Sequence, residues 1–413
     1  MSIILNKEKL ATNELRKDAL EILEAGLEAV NTEKILRKKI RIENDNLIIE
    51  NGLTTESTVV PLPLTRGGVR GEVYFVGIGK CALDGARIIE EILGDKLTDG
   101  IALDVKIGEL KKIKSLAGTH PYPSEQNILA TKEILKMVEN LTEKDLVICL
   151  ISGGGSSLFE LPIPEVDLDT IIETTKELTA KGADIYDLNR VRKTMSQVKG
   201  GKFAKLCFPA QIVSLIFSDV LGNDISVIAS GPTVAELPSP SQGEGLGGEV
   251  VNVLVASNHD ALIAMKNKAQ ELGFNANIET EKLSGNAKNV GRELILRKPK
   301  PKTCILFGGE TTVHIPENHG AGGRNQTMAL SALSRMPADS VLVCASSDGW
   351  DNTDHAGAMA DQELFKKSKE LNISSEEYLS NSDSYNFFKK VGGGICTGKL
   401  GSNVSDLVIL IYK

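Results

Sequence analysis

The sequence predicts an α/β protein: a doubly wound, mostly parallel sheet in an N-terminal domain, followed by a second α/β domain. Three observations carry that expectation. Short apolar, β-branched runs alternate with amphipathic stretches at helical spacing. Several of the runs end abruptly in glycine, as at Gly77, Gly79 and Gly153 to Gly155, and the carboxyl ends of parallel strands are where such sheets bind ligands. The chain also has 413 residues, too many for one ordinary core.

The elements follow in order. Asn13 is placed to cap a helix over residues 14–30, with Leu15, Ala19, Leu20, Leu23, Leu27 and Val30 on one side. Residues 73–78 read as a strand running into the Gly79 turn, and residues 82–93 as the helix after it. A strand over 100–105, a helix over 127–141 and a strand over 145–151 come next. Residues 169–181 and 191–206 are expected as helices and 212–217 as a buried strand. The stretch 238–249 (PSPSQGEGLGGE) is low in complexity and cannot build a core, so it is expected to be flexible and to mark a domain border. That gives domains over 1–237 and 250–413. The second contains strands at 251–256, 303–307 and 340–345, helices at 260–272, 286–296 and 325–335, and a strand at 407–412 expected to close the sheet. The basic run 297–302 reads as a solvated linker.

Composition narrows the function. A hydrophobic fraction of 41% with 25% charged residues is that of an ordinary globular protein. The net charge of −8 argues against nucleic acid as the main partner, which would call for a basic face. The six cysteines have no paired short spacing, which reads as a reducing compartment without disulfides or zinc. No signal-peptide core and no apolar run of about 18 residues is present, so the expectation is a cytoplasmic protein that does not engage a membrane.

Four constellations in the first half of the chain could carry chemistry. Ser152-Gly153-Gly154-Gly155-Ser156-Ser157 follows a strand buried on both faces, and glycines there let backbone amides approach an anion; a plain tight turn is the competing reading. Gly77-Ile78-Gly79-Lys80 begins like a dinucleotide fingerprint, with Ala82 in the third glycine position. A lysine directly after the second glycine would crowd a pyrophosphate, however, and Asp104 lies far along for a ribose contact; a substrate phosphate or carboxylate suits Lys80 better. Between Asn189 and Lys202 lie five cations, and on a helix Arg192, Ser196 and Lys199 would form one polar stripe. Asp219 follows a buried strand, where catalytic or metal-binding carboxylates tend to sit. In the second half, Glu310 and Arg324-Asn325 adjoin glycine-rich turns. The stretch 348–354 carries three aspartates but has Met359 where a calcium loop needs glutamate, and so reads as a turn serving a ligand cleft.

Taken together these segments resemble the class II glycerate kinases, the glycerate 2-kinase family with a C-terminal MOFRL-type domain. The similarity covers residues 73–234 and 304–410. Gly77 to Lys80 matches the family's GIGKA, Leu150 to Pro162 its LISGGGSALL-x-x-P, and Asn189 to Ala204 its N-x-V-R-K-H-L-S-x-I-K-G-G-R-L-A. Ser214 to Val234 is similar to SLILSDV-x-GDD with IASGPTV, Gly308 to Val313 to GGETTV, Gly322 to Gln326 to GGRNQ, and Cys396 to Leu407 to TGPTGTNV-x-DL. The resemblance implies a Rossmann-like first domain, an active site in an interdomain cleft, and transfer of the ATP γ-phosphoryl group to the 2-hydroxyl of D-glycerate with Mg²⁺. It implies Lys80 and Arg324 as the principal catalytic cations, which fits a reaction served by positioning and charge stabilisation. Asp219 would orient the hydroxyl or hold the metal. Gly79, Ser152 to Ser157, Asn189, Arg192, Lys199, Glu310, Asn325 and Asp348 would bind substrate or ATP. Assembly as a homodimer stays open.

The chain departs from the family pattern at Thr194 (usually His), Asn223 (Asp), Thr327 (Glu) and Lys399-Leu400 (Pro-Thr). Between Thr233 and Val250 it is considerably shorter. The rival readings are a hydroxypyruvate reductase and a non-catalytic homologue that binds glycerate or nucleotide.

Overall fold

The structure is a computed structural model that describes residues 2–51, 56–63, 65–66, 69–183, 185–220, 222–234, 248–297 and 300–413. Most of the low-complexity segment, residues 238–247, lies outside them, as do residues 298–299 of the basic run. The chain divides into two compact units, Thr32–Ala256 and Met1–Asn31 joined to Ser257–Lys413. This corrects the expected borders twice. The strand Val250–Ala256 pairs in the first unit's sheet. The helix Glu14–Ala29, capped as expected by the Asn13 side chain accepting from Arg16 N–H at 3.0 Å, belongs to the terminal unit. It packs there against the helix Asn258–Glu271, burying Ala19, Leu20, Leu23 and Leu27.

The first unit holds strands β1 (Val73–Ile78), β2 (Asp99–Asp104), β3 (Ile113–Ala117), β4 (Leu146–Ile151), β5 (Gln211–Phe217) and β6 (Val250–Ala256). They lie in the order β6-β5-β4-β1-β2-β3, and every neighbouring pair is parallel. The chain therefore runs outward from β1 through β2 and β3, then returns to β1's other side with β4. All six residues of β4 are buried, as befits a strand covered on both faces. The Phe159 and Phe203 rings meet edge to face at 5.1 Å in the core on one side of this sheet. A small antiparallel sheet of Ile40–Glu43, Asn46–Glu50 and Ser57–Pro61 was not foreseen.

The helix expected over 191–206 is in fact two, Ile185–Met195 and Lys202–Cys207. The first leaves helical geometry after Met195, where Ser196 bridges to Pro162, and Gly201, with φ of +75°, stands at the start of the second. The Lys202 ammonium donates to the Lys193 and Ser196 carbonyls at 2.9 and 2.5 Å, where the first helix runs out.

The terminal unit holds β7 (Asn275–Leu283), β8 (Thr303–Gly309), β9 (Ser340–Ser346), β10 (Gly357–Asp361), β11 (Gly394–Ile395) and β12 (Asp406–Tyr412). Their order is β7-β8-β12-β9-β10-β11. Only β7 and β8 are parallel; the other neighbours are antiparallel. β12, expected to close the sheet, is inserted in its middle. All seven of its residues are buried, a pattern that an edge strand with one open flank does not sustain. Among the described residues no helix is long and apolar enough to cross a membrane.

Candidate active site

In the first unit the strand order reverses between β1 and β4, and a doubly wound sheet opens its ligand crevice at the carboxyl ends of such a pair. The turns that leave these two strands are tied together. Ser152 N–H donates to the Ile78 carbonyl at 2.9 Å, and Lys80 N–H to the Gly153 carbonyl at 3.0 Å. Gly79 has φ of +118°, and a Cβ there would lie 2.2 Å from Ser152 Oγ, so only glycine lets the turns close up. Gly154, with φ of +85°, leaves room for the Lys80 side chain: a Cβ on it would sit 3.1 Å from Lys80 Cγ and 3.3 Å from His120 Cδ2. The structure thus lays Lys80 along the glycine loop.

Behind this loop Ala229, Ser230 and Gly231 adopt φ of +49°, +63° and +59° in succession, a strained path for two residues that carry a Cβ. It is held in place by Gly200 N–H on the Ser230 carbonyl at 2.9 Å and Gly201 N–H on the Gly231 carbonyl at 2.7 Å. Ser230 Oγ in turn lies 2.9 Å from Ser156 Oγ. The dinucleotide option at Gly77 loses its acidic partner, because Asp104 is buried and its two oxygens accept from Leu83 and Val105 N–H at 3.0 and 2.6 Å. Asp219 stands half-buried just beyond β5, at the same edge of the sheet.

The polar stripe of Arg192, Ser196 and Lys199 does not form, because the helix stops at Met195. Arg192 stays on the helix, half-buried, with Asn189 one turn earlier. Lys199 instead turns inward, fully buried and ion-paired with the buried Glu160.

In the terminal unit β12 runs antiparallel to both its neighbours, so its first residue, Asp406, lies opposite Gly309 and Ser346 at their carboxyl ends. Arg324 begins the helix Arg324–Leu333. Its Nε and Nη2 grip Asp406 at 2.6 and 3.1 Å, and Nη1 reaches Glu310 at 2.5 Å. Among the described residues its other two N–H groups make no hydrogen bond. Burial works against the guanidinium's charge, but Asp406 and Glu310 outweigh it and hold the proton more tightly than usual. Asn325 Nδ2 adds a bond to Asp406 at 2.9 Å. Asp351, the middle aspartate of the expected cleft-serving turn, points inward and accepts the Asn325 and Gln326 N–H groups at 3.1 and 2.8 Å. Burial pushes its carboxyl up to about 6 despite these donors. Asp348 accepts from Ser346 Oγ at 2.8 Å and Trp350 N–H at 3.0 Å.

Glu160, Asp351 and Asp406 were not singled out from sequence. Asp406 stood within the motif ending at Leu407, but its importance depends on the direction of β12, which the motif does not reveal.

Cations held at glycine-rich turns, on a doubly wound sheet in one unit and a mixed sheet in the other, suit an α/β phosphotransferase. Comparison with known proteins makes the class specific. A family model described as a domain of unknown function (DUF4147) matches residues 18–244, and the MOFRL family model matches residues 303–406. The chain is 36% identical to the glycerate 2-kinase of Pyrococcus horikoshii over 96% of its own length and 97% of that protein's. It is likewise 36% identical to the D-glycerate 2-kinase of Thermotoga maritima, over 96% and 98%, and 30% identical to human glycerate kinase over 84% and 85%. Its fold superposes on the crystal structure of the Thermotoga maritima glycerate kinase with a TM-score of 0.80, at 34% identity over 96% of this chain and 99% of that one. The chain belongs to the class II glycerate kinases.

Proposed function

We propose that this protein is an ATP- and Mg²⁺-dependent glycerate 2-kinase of the cytoplasm that makes 2-phospho-D-glycerate. The observation that carries this reading is the end-to-end similarity to two glycerate 2-kinases at 36% identity. Lys80 and Arg324 serve as the cations that stabilise the transferring phosphoryl group, since such a transition state draws on fixed charge more than on covalent help from the protein. The Gly153 to Ser157 loop offers its backbone and hydroxyls to an anionic oxygen, and Glu310, Asn325 and Asp348 shape the Arg324 side. Asp219 orients the reacting hydroxyl. The same carboxylate is the proposed protein ligand of Mg²⁺, which would neutralise phosphate charge. Among the described residues no three side chains of ligating type converge. That suits a cation usually held by one or two carboxylates together with substrate phosphates and water.

The test is purified protein with D-glycerate and Mg-ATP, following ADP release and identifying the product. Stoichiometric 2-phosphoglycerate is the expected result. Glycerate that binds without ADP release, or NAD(P)H consumption with hydroxypyruvate in its place, would overturn it.

A further inference from the structure

The helix Ile185–Met195 presents two polar groups that the fold leaves incomplete. Asn189 and Arg192 are three residues apart, so their side chains leave the helix on the same side. Asn189 is 2% exposed, and its Nδ2 donates to the Ile185 carbonyl at 2.9 Å. Its Oδ1 is buried and accepts from nothing among the described residues. Exchanging the amide's nitrogen and oxygen would not cure this, because two acceptors would then face each other at Ile185. Arg192 is half-buried. Among the described residues it makes no hydrogen bond and no ion pair, and the charged or titratable groups around it are Glu160, Tyr122 and Lys199.

A carboxylate is therefore near Arg192 but does not pair with it. The reason lies one layer deeper. Glu160 gives one oxygen to the Lys199 ammonium and the other to Leu161 N–H at 3.0 Å. The Lys199 side chain is 0% exposed and that of Glu160 2%, and a buried ammonium without its partner is strongly unfavourable. Two cations thus share one carboxylate. The unbalanced positive charge falls on the guanidinium, whose five donors are unmet where water is only partly available.

This cluster adjoins the glycine loop. The helix Ile185–Met195 packs against the turn Ile228–Ser230, and Ser230 Oγ is 2.9 Å from Ser156 Oγ. Tyr122, a neighbour of Arg192, lies two residues beyond His120, whose ring flanks Gly154 beside Lys80.

We infer that Arg192 and Asn189 bind the acid end of a small 2-hydroxy acid, the guanidinium taking the carboxylate and the amide oxygen accepting from a hydroxyl. The inference rests on the glycerate reading and assigns the part of the substrate that this helix recognises. Lys199 is a positioning residue: it occupies Glu160 and so keeps the carboxylate from neutralising Arg192. The substrate's carboxylate completes the charge count, and a guanidinium can hold it through two parallel bonds. A neutral polyol of the same length would leave the guanidinium unpaired and should be rejected.

The experiment is steady-state kinetics with D-glycerate and with glycerol, its uncharged analogue, at saturating Mg-ATP, for wild type, Arg192→Ala, Arg192→Lys and Asn189→Ala. Arg192→Ala is expected to raise KM for D-glycerate roughly 10²-fold, the scale of one charged hydrogen-bonded pair. It should leave KM for ATP within about twofold and shrink the preference for glycerate over glycerol by a similar factor. Arg192→Lys should recover part of the loss, and Asn189→Ala should raise KM about 10-fold. An unchanged KM for D-glycerate in folded Arg192→Ala or Arg192→Lys protein, while the wild type turns over, overturns this inference alone. A wild type that releases no ADP with D-glycerate overturns the reading beneath it.

Discussion

The two charged clusters, one in each unit, are unbalanced in opposite directions. Around Glu160 the cations outnumber the carboxylate, and Lys199 takes what Arg192 lacks. Around Arg324 the carboxylates outnumber the cation. Asp406 and Glu310 both bind it, and Asp351 lies behind, held by the helix amides. In a low-dielectric setting such imbalance is costly, and it is relieved by a ligand or a proton of the opposite sign. An anion, as proposed above, would relieve the first cluster. The second is relieved in part by protonation, for burial raises the pKa of both Asp351 and Asp406. The difference teaches that the net sign of a buried cluster, more than its count of salt bridges, indicates what it can accept.

The comparison can be broken most forcefully at Glu160. Glu160→Gln leaves the Lys199 ammonium buried without its carboxylate and is expected to cost about 3–5 kcal/mol in urea unfolding. Adding Lys199→Met should recover most of that, and a double variant as unstable as the single one would show that the pair is not what stabilises this region. Next comes catalysis: Lys80→Ala and Arg324→Ala should each lower kcat about 10²-fold or more, the scale for losing a charge partner of the transition state. Near-normal turnover in both would remove them from the mechanism.

The carboxylate-rich cluster is sharpened by pH. The folded protein holds the Asp351 proton more tightly than the unfolded chain, where the carboxyl titrates near 3.8. This contribution to stability is therefore full below about pH 4 and is lost as pH rises through about 6. Between pH 4 and 7, wild-type stability should fall relative to Asp351→Asn by on the order of 2–3 kcal/mol. Parallel curves for the two proteins would place the proton elsewhere. The smallest effect is a control that touches neither cluster: Asn13→Ala removes the cap on Arg16 N–H and should cost about 1 kcal/mol in thermal unfolding, without altering kinetics.

Much of the fold was legible because its strongest elements are strongly patterned. β4 is six consecutive buried apolar residues, and the helix Ala82–Leu93 has the observed boundaries that its periodicity predicts. The strands that escaped reading lack such a signal. β3 carries Lys114 and Ser115, and β7, at a sheet edge, buries only Ala276 and carries Asn, Glu and Lys among its other positions. Lys80 and the glycine loop were legible because a strand followed by glycine is a local pattern. Lys199 was misplaced because five nearby cations look alike in sequence, and neither the helix end at Met195 nor the buried Glu160 that takes the ammonium shows in their spacing. Glu160, Asp351 and Asp406 owe their surroundings to segments 26 to 82 residues away, which local reading does not connect.

The central place of β12 also sets an order of assembly during synthesis. The first unit is one continuous stretch, Thr32–Ala256, whereas the terminal unit needs both Met1–Asn31 and Ser257–Lys413. β8 and β9 hydrogen-bond to β12 and not to each other, so they are left with open flanks until residues 406–412 leave the ribosome. The helix Glu14–Ala29, translated early, must keep its apolar face waiting while the whole first unit is made. A nascent chain halted before Asp406 should therefore show a protease-resistant first unit and a terminal unit still open to cleavage and to chaperones.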